Sequence, residues 1–345
     1  MKKDFYRKLQ EKLNNNEEVY LMTIISEAYE ERKIAGQKLF TDGKYKVIED
    51  STIEDIWEII LENVDYNKST YSLKLENGLE VFVEYLVSKP HLVICGGGHI
   101  ALPLCNIGKL LDFKVTIIDD REEFANFDRF AMAENVICGN FNEVLEEIKF
   151  NKNTYFVIVT RGHKGDRDCL ESVIDKGYEY VGMIGSKGKV AKVVSALLGQ
   201  GYSKELIDKV HTPIGLDIGS QTPAEVAVSI AAEIILEKNK KKASEFEEEI
   251  LDTIVNNRGK SVLTTIVEKR GSSPRGVGTK MLICEDGSFL GTIGGGAVEN
   301  YAYNRALELV GNNDNVVEVY DLSNSKAATL GMICGGTVKV VFECI

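Results

Sequence analysis

Three glycine-rich segments near the C-terminus set small residues beside groups that hold anions or react. They read Gly271-Ser272-Ser273-Pro274-Arg275-Gly276, Gly294-Gly295-Gly296-Ala297-Val298-Glu299 and Cys334-Gly335-Gly336. Glycine amides at the head of a helix, which the pattern places over Ala297–Leu309, cradle a negatively charged ligand. Ser273 lies beside Arg275, which adds charge-assisted contacts. Cys334 stands just before a strand, placed like an accessible thiol rather than a packed one. Paired glycines before a strand also make β-bulges or tight turns. Three such loops in one small piece of chain are more than turn-making requires, and a ligand site is expected there.

A second set of residues sits in Leu92–Asp119, LVICGGGHIALPLCNIGKLLDFKVTIID. A short apolar run, Leu92–Cys95, leads into glycines and then into Ile100, Leu104, Ile107 and Leu111 at helical spacing. Val115–Ile118 follows as a strand and ends on Asp119. This is the strand, turn, helix, strand and acid order of a dinucleotide-binding unit. Gly96 permits the tight turn, Gly98 lets backbone approach a pyrophosphate, and Ala101 takes the third small position. Asp119 is expected to accept from a ribose 2′-hydroxyl, which favours NAD, whereas Arg121 suits a 2′-phosphate; both choices stand. His99 has two readings, a phosphate contact or a turn histidine bonded to backbone.

The elements that must position these groups alternate strand and helix. Tyr155–Thr160 is a buried strand followed by Arg161-Gly162-His163-Lys164-Gly165-Asp166 and a helix from Asp168. Tyr180–Ile184 is another strand, followed by Gly185-Ser186-Lys187 and a helix over Val190–Leu198. Alternation of this kind predicts a parallel sheet with right-handed crossovers. Ligands of such sheets lie outside the carboxyl ends of the strands. Gly96–His99, Asp119, Arg161, His163, Lys164, Gly185, Ser186 and Lys187 are therefore expected on one edge, around an anion or nucleotide.

The 345 residues carry 44% hydrophobic and 27% charged side chains, as ordinary globular proteins do. No apolar run nears the roughly eighteen residues of a membrane span, and MKKDFYRKLQEKL has no signal-peptide pattern. Net charge of −12 disfavours nucleic acid and anionic membranes as partners. Seven cysteines, an odd number without a C-x-x-C pair, predict neither a zinc cage nor a disulfide framework and fit a reducing cytoplasm.

The expected division is 1–88, a Rossmann-like unit at 89–236, a charged linker at 237–247 and a last piece at 248–345. The first and last pieces match. Thr23-Ile24 lies over Thr265-Ile266, Gly36-x-Lys38 over Gly278-x-Lys280, and Asp42-Gly43 over Asp286-Gly287 after a two-residue gap. Both open on a helix-like segment and close on similar strands, GLEVFVE and GGTVKVVFE. The expected fold class is α/β: a central doubly wound parallel sheet flanked by two related smaller α+β domains. The N-terminal copy is degenerate, because it lacks all three glycine-rich segments; the C-terminal copy is intact.

Taken together, GSSPRGVGTKM, GTIGGGAVE, MICGGTV, GGGHIA, VTRGHKGD, YVGMIGSKGK and PIGLDIGSQTPAEVAVSIAAEI resemble the xanthine dehydrogenase accessory factor family, the XdhC/CoxI type. The resemblance covers 89–236 and 250–345 directly and 1–88 through the repeat. The domain order differs from the family's usual one, in which the glycine-rich domain precedes the Rossmann domain. The resemblance implies a maturation protein that binds molybdenum cofactor (molybdopterin) and delivers it, in sulfurated form, to a molybdenum hydroxylase such as xanthine dehydrogenase. It implies a cysteine desulfurase as second partner and leaves a homodimer open. Carried over, Ser273, Arg275, Gly294, Gly295, Gly296, Glu299 and Cys334 are its molybdopterin candidates, with Cys334 in contact or in sulfur transfer. Gly96, Gly98, His99, Asp119, Arg161, His163, Gly185, Ser186 and Lys187 are the NAD(P) candidates. The rival from another class is an NAD(P)-dependent oxidoreductase with His163 or Lys187 as proton donor; it leaves the glycine-rich piece unexplained.

Overall fold

A computed structural model describes residues 2–240, 244, 246–257, 259–271, 276–321 and 336–345, with His163, Lys187, Lys189 and Ala297 described by backbone alone. The chain forms two compact units, residues 1–88 with 242–345, and residues 89–241.

The first unit begins with α1 (Lys2–Asn14), whose Phe5, Tyr6, Leu9 and Leu13 recur on one face and are buried. Then come β1 (Val19–Ile24), the short pair β2 (Ala28–Tyr29) and β3 (Arg32–Lys33), β4 (Lys38–Thr41) and β5 (Lys46–Ile48). A 3₁₀ turn at Ser51–Ile53, α2 (Glu54–Leu61), β6 (Tyr71–Lys74) and β7 (Glu80–Leu86) complete this half. Its antiparallel sheet runs β5-β4-β1-β7-β6. Strand periodicity splits β1 between two cores. Leu21 faces the α1 side, while Met22 and Ile24 face Ile56, Trp57 and Ile60 of α2.

The second unit contains β8 (His91–Cys95), α3 (Ala101–Leu110), β9 (Lys114–Asp119), β10 (Asn135–Cys138), α4 (Phe141–Glu147) and β11 (Thr154–Ile158). It continues with α5 (His163–Val173), β12 (Tyr180–Met183), α6 (Lys187–Gly199), α7 (Lys204–Ile207) and α8 (Pro223–Lys238). The sheet is parallel throughout, in the order β10-β9-β8-β11-β12. One core packs Leu104 of α3 and Ile230 and Ile234 of α8 on Ile94 and Val115. The other packs Leu145, Leu170 and Leu197 of α4, α5 and α6 on Val93, Phe156 and Val181. Strands covered on both faces need apolar residues at every position, which is why they read as continuous runs. α5 starts at His163, not Asp168 as expected. The buried Asp166 carboxylate accepts from the Thr160 amide (3.0 Å) and hydroxyl (2.7 Å), tying the first helical turn to the end of β11 despite two glycines that read as loop.

The rest of the first unit is α9 (Glu248–Asn256), β13 (Ser261–Gly271), β14 (Lys280–Cys284), β15 (Phe289–Gly291), α10 (Gly296–Leu309), β16 (Val316–Asp321) and β17 (Gly336–Cys344). Its antiparallel sheet runs β15-β14-β13-β17-β16, with Val298, Ala302, Ala306 and Leu309 of α10 in its core. Residues 1–88 and 248–345, expected as two separate domains, share one unit. Phe5, Tyr6 and Leu9 of α1 lie in one core with Ile250, Leu251 and Ile254 of α9, and Ile25 and Phe82 meet Val267 and Val341. Two buried ion pairs join the halves, Lys38–Glu343 at 2.7 Å and Lys280–Glu84 at 2.5 Å. Removing one partner of such a pair strands a charge in the interior and costs about 3–5 kcal/mol.

Candidate functional sites

In the second unit, strand β8 delivers Gly96 into a left-handed turn, φ +113°. A Cβ at Gly96 would lie 2.5 Å from the Val159 carbonyl oxygen, and one at Gly97 would lie 2.3 Å from that of Phe124. A Cβ at Gly98 would meet nothing within 4 Å. The first two glycines are therefore demanded by packing; the third opens onto free space, where a ligand's phosphate has room.

Asp119 ends β9 beside this turn and is 1% exposed. Its Oδ1 accepts from the Arg121 amide (3.1 Å) and Nε (2.8 Å), and its Oδ2 from the Gly97 amide (2.7 Å) and Arg121 Nη2 (2.9 Å). Four donors fill a carboxylate's acceptor sites. Burial would raise the Asp119 carboxyl, but the Arg121 guanidinium and the Gly97 amide outweigh it and hold it below the usual range. In this arrangement Asp119 has no site left for a ribose hydroxyl, and Arg121 is turned to it and stacked over Phe124 at 3.9 Å. Arg129, which the sequence did not single out, donates to the Gly97 (3.1 Å) and Gly98 (3.3 Å) carbonyls. Arg129 and Asp119 thus brace the turn from its carbonyl and amide sides.

Because the sheet is parallel, its carboxyl edge gathers the turn Gly96–His99, Asp119, Arg161 ahead of α5, and Gly185 and Ser186 ahead of α6. His99, Arg161 and Ser186 are exposed. Residues His163 and Lys187 are the first of α5 and α6. The N-termini of α3, α5 and α6 therefore share this edge, and their amides and dipoles favour an anion.

A cluster absent from the sequence reading lies at the β12 side. Glu233 of α8 accepts from the Tyr180 hydroxyl (2.6 Å) and the Gly215 amide (2.8 Å), and its other oxygen lies 3.2 Å from His211 Nδ1. The His211 ring packs on Tyr180, 4.6 Å between centroids. Hydrogen bonds from His211, Tyr180 and Gly215 overcome burial and keep the Glu233 carboxyl low, while burial and then Glu233 push the Tyr180 phenol up. Its titratable members stand 22 and more positions from Glu233 in sequence, so no local spacing marks it.

In the first unit, β13 ends, β14 begins, β15 ends, β16 ends and β17 begins at the same end of the sheet, because neighbours are antiparallel. Gly271 and Gly336 are register partners there. Strands β13 and β17 thus adjoin at these two glycines. Ser273, Arg275 and Cys334 themselves lie outside the described residues. Gly294, Gly295 and Gly296 take φ of +119°, +71° and +69° at the head of α10. Glu299, in the first turn of that helix, turns back so that one oxygen accepts from the Ile293 and Gly295 amides, each at 3.1 Å, and from the Thr292 hydroxyl. Thr292 accepts in turn from the Gly294 amide (3.1 Å). Burial alone would raise the Glu299 carboxyl; the Thr292 hydroxyl and the loop amides outweigh it and hold it low. Three donors aimed at one carboxylate oxygen define a seat for an anionic oxygen, and Glu299 fills it from within.

Residues 92–234 match the family model described as XdhC Rossmann domain, and residues 254–321 match the XdhC and CoxI family model. The chain is 28% identical over 162 residues to the uncharacterized protein YqeB of Escherichia coli (strain K12), covering 47% of this chain and 30% of that protein. It is 26% identical over 176 residues to a probable xanthine dehydrogenase subunit of Bacillus subtilis (strain 168), 51% of each. It is 39% identical over 93 residues to the molybdenum cofactor insertion chaperone PaoD of Escherichia coli, 27% of this chain and 29% of that protein. The chain thus spans about half or less of these relatives' lengths. A solved structure described as a xanthine dehydrogenase from Bacillus halodurans superposes with a TM-score of 0.53 at 20% identity, over 67% of this chain and 65% of that one; at that identity the likeness is one of fold. No helix among the described residues is long and apolar enough to cross a membrane.

Proposed function

The chain belongs to the XdhC and CoxI family, and from that premise we propose that it is an accessory protein to a molybdenum enzyme. In this reading it holds molybdenum cofactor at the glycine-rich end of the first unit and delivers it, sulfurated, to a molybdenum hydroxylase of the xanthine dehydrogenase kind. The observation that carries the reading is the convergence of the Ile293 and Gly295 amides and the Thr292 hydroxyl on one anionic oxygen. In this reading a phosphate oxygen of the cargo replaces the Glu299 carboxylate at these donors, which donate to either anion. Arg275 and Ser273 serve the same anion, and Cys334 touches the cargo or receives sulfur from a cysteine desulfurase. The similarity to a molybdenum cofactor insertion chaperone supports the reading.

The turn Gly96–His99 is, in the same proposal, a phosphate seat for a nucleotide of the NAD(P) type, supported by the open space at Gly98. With Asp119 saturated, the phosphates rather than the ribose supply recognition. Purification from a host that makes molybdenum cofactor, followed by oxidation, should give pterin fluorescence near one equivalent per chain, and Gly295→Val and Cys334→Ala should lower it. No pterin in the wild type, together with NAD(P)H turnover on a small substrate, would replace this function with that of an oxidoreductase.

A further inference from the structure

The two halves of the first unit correspond element by element: β1 to β13, β4 to β14, β5 to β15, β6 to β16 and β7 to β17. Lys38 opens β4 and Lys280 opens β14; Glu84 lies in β7 and Glu343 in β17. Each lysine reaches the glutamate of the other half, and all four side chains are 1–2% exposed. Ile25, Phe82, Val267 and Val341, which are equivalent in pairs, form one small core. This is the exchange of a two-fold contact, where residue i of one half meets residue j of the other and the reverse.

The two ion pairs differ in what they support. Lys280 Nζ also donates to the Gly278 carbonyl at 2.9 Å. Gly278 has φ +85°, and a Cβ there would come within 3.1 Å of Glu84 Oε1 and 2.6 Å of Ser244 Oγ. A Cβ at Gly291, which leads into Thr292–Glu299, would come within 2.6 Å of the Lys280 carbonyl oxygen. Glu84 thus braces the start of β14, and β14 in turn pairs with β15, from which the glycine loop leaves. At the equivalent end of the N-terminal half, β5 runs into Glu49 and a 3₁₀ turn capped by Asp50, with no glycine loop. There Glu343 also accepts from the Tyr6 hydroxyl at 2.6 Å.

We propose that Glu84, a residue of the half without glycine loops, is a positioning residue for the anion seat of the other half, so that the N-terminal half serves as an internal partner of the site rather than as a second site. This rests on the accessory-protein reading above. It implies one cargo per chain, held by the C-terminal half and lost when Glu84 of the N-terminal half is changed.

The test compares Glu84→Gln with Glu343→Gln in the full chain. Both break a buried ion pair, and Glu343→Gln also removes the ionised acceptor of Tyr6, so both should lower the thermal midpoint, Glu343→Gln by at least as much. At a temperature where circular dichroism shows both folded, Glu84→Gln should carry roughly tenfold less pterin, while Glu343→Gln keeps the wild-type load. Hydrogen exchange at the Ile293 and Gly295 amides gives a readout without cargo, expected to quicken in Glu84→Gln alone. Equal loss of pterin in both variants, or equal exchange in both, would overturn the positioning role. If the wild type carries no pterin yet exchange quickens only in Glu84→Gln, the delivery function falls and the positioning stands.

Discussion

The glycines after β8 separate packing from binding, and two substitutions tell them apart. At Gly96, alanine must adopt φ +113° with its Cβ 2.5 Å from the Val159 carbonyl oxygen. Backbone strain of that kind costs roughly 1–3 kcal/mol, and forcing β11 outward adds about 1–3 kcal/mol. A loss of about 3 kcal/mol is expected, which lowers the midpoint of a domain this size by about 10 °C. At Gly98 the same added methyl group meets nothing within 4 Å, and Gly98→Ala should leave stability unchanged or raise it by about 0.4–1 kcal/mol. Gly98→Val fills the space a phosphate would use, so binding of NADH or an adenine nucleotide, followed by fluorescence or calorimetry, should weaken by at least about tenfold. Scanning calorimetry and one titration series per variant suffice. Wild-type stability in Gly96→Ala would refute the close approach of β8 to β11, and unchanged affinity in Gly98→Val would refute the seat at this turn.

Three further outcomes follow from single interactions. Burial, and then Glu343, raise the Glu49 carboxyl to about 7 against Lys2 and Lys38. A carboxyl so raised contributes stability that is complete below the unfolded value and lost as pH rises through about 7, on the order of 3 kcal/mol; Glu49→Gln should flatten the urea-denaturation profile between pH 5 and 8, and an unaltered slope would count against it. Thr222 and Glu225 form a reciprocal cap at the start of α8, so Thr222→Ala should cost about 1 kcal/mol by thermal melting, and no change would show the cap to be idle. Glu233→Gln leaves Tyr180, His211 and Gly215 without their ionised acceptor; a loss of roughly 1–3 kcal/mol at pH 7 is expected. Since the Glu233 carboxyl is held low, its contribution is present above the unfolded value and disappears as pH falls, and a difference that persisted in acid would contradict this.

The register from Leu92 to Asp119 was legible because each part is local: a run of four apolar residues, glycines, helical spacing and a terminal acid. The use made of Asp119 was not, since Arg121, two positions on, consumes acceptors that the sequence leaves open for a ribose. The start of α5 was hidden by Gly162 and Gly165, whose cost to a helix is offset by the tie from Asp166 to Thr160. The match of Lys38 to Lys280 was visible through the glycine two positions before each. Their partners were not, because Glu84 and Glu343 sit in strands where an acid among apolar residues reads as a solvent-facing position. His211 and Glu233 were missed for another reason: the contact joins a loop to a helix and leaves no spacing to read.

The Tyr6 hydroxyl meets the Glu343 carboxylate, 337 positions later. At roughly 5–20 residues per second, a ribosome takes on the order of tens of seconds to travel between them. For most of that interval, until α9 is made, the apolar stripe of α1 lacks the helix that covers it, while every strand of the parallel sheet is made and can close on itself. The first unit is therefore begun first and finished last, and damage near residue 343 should be felt at residue 6.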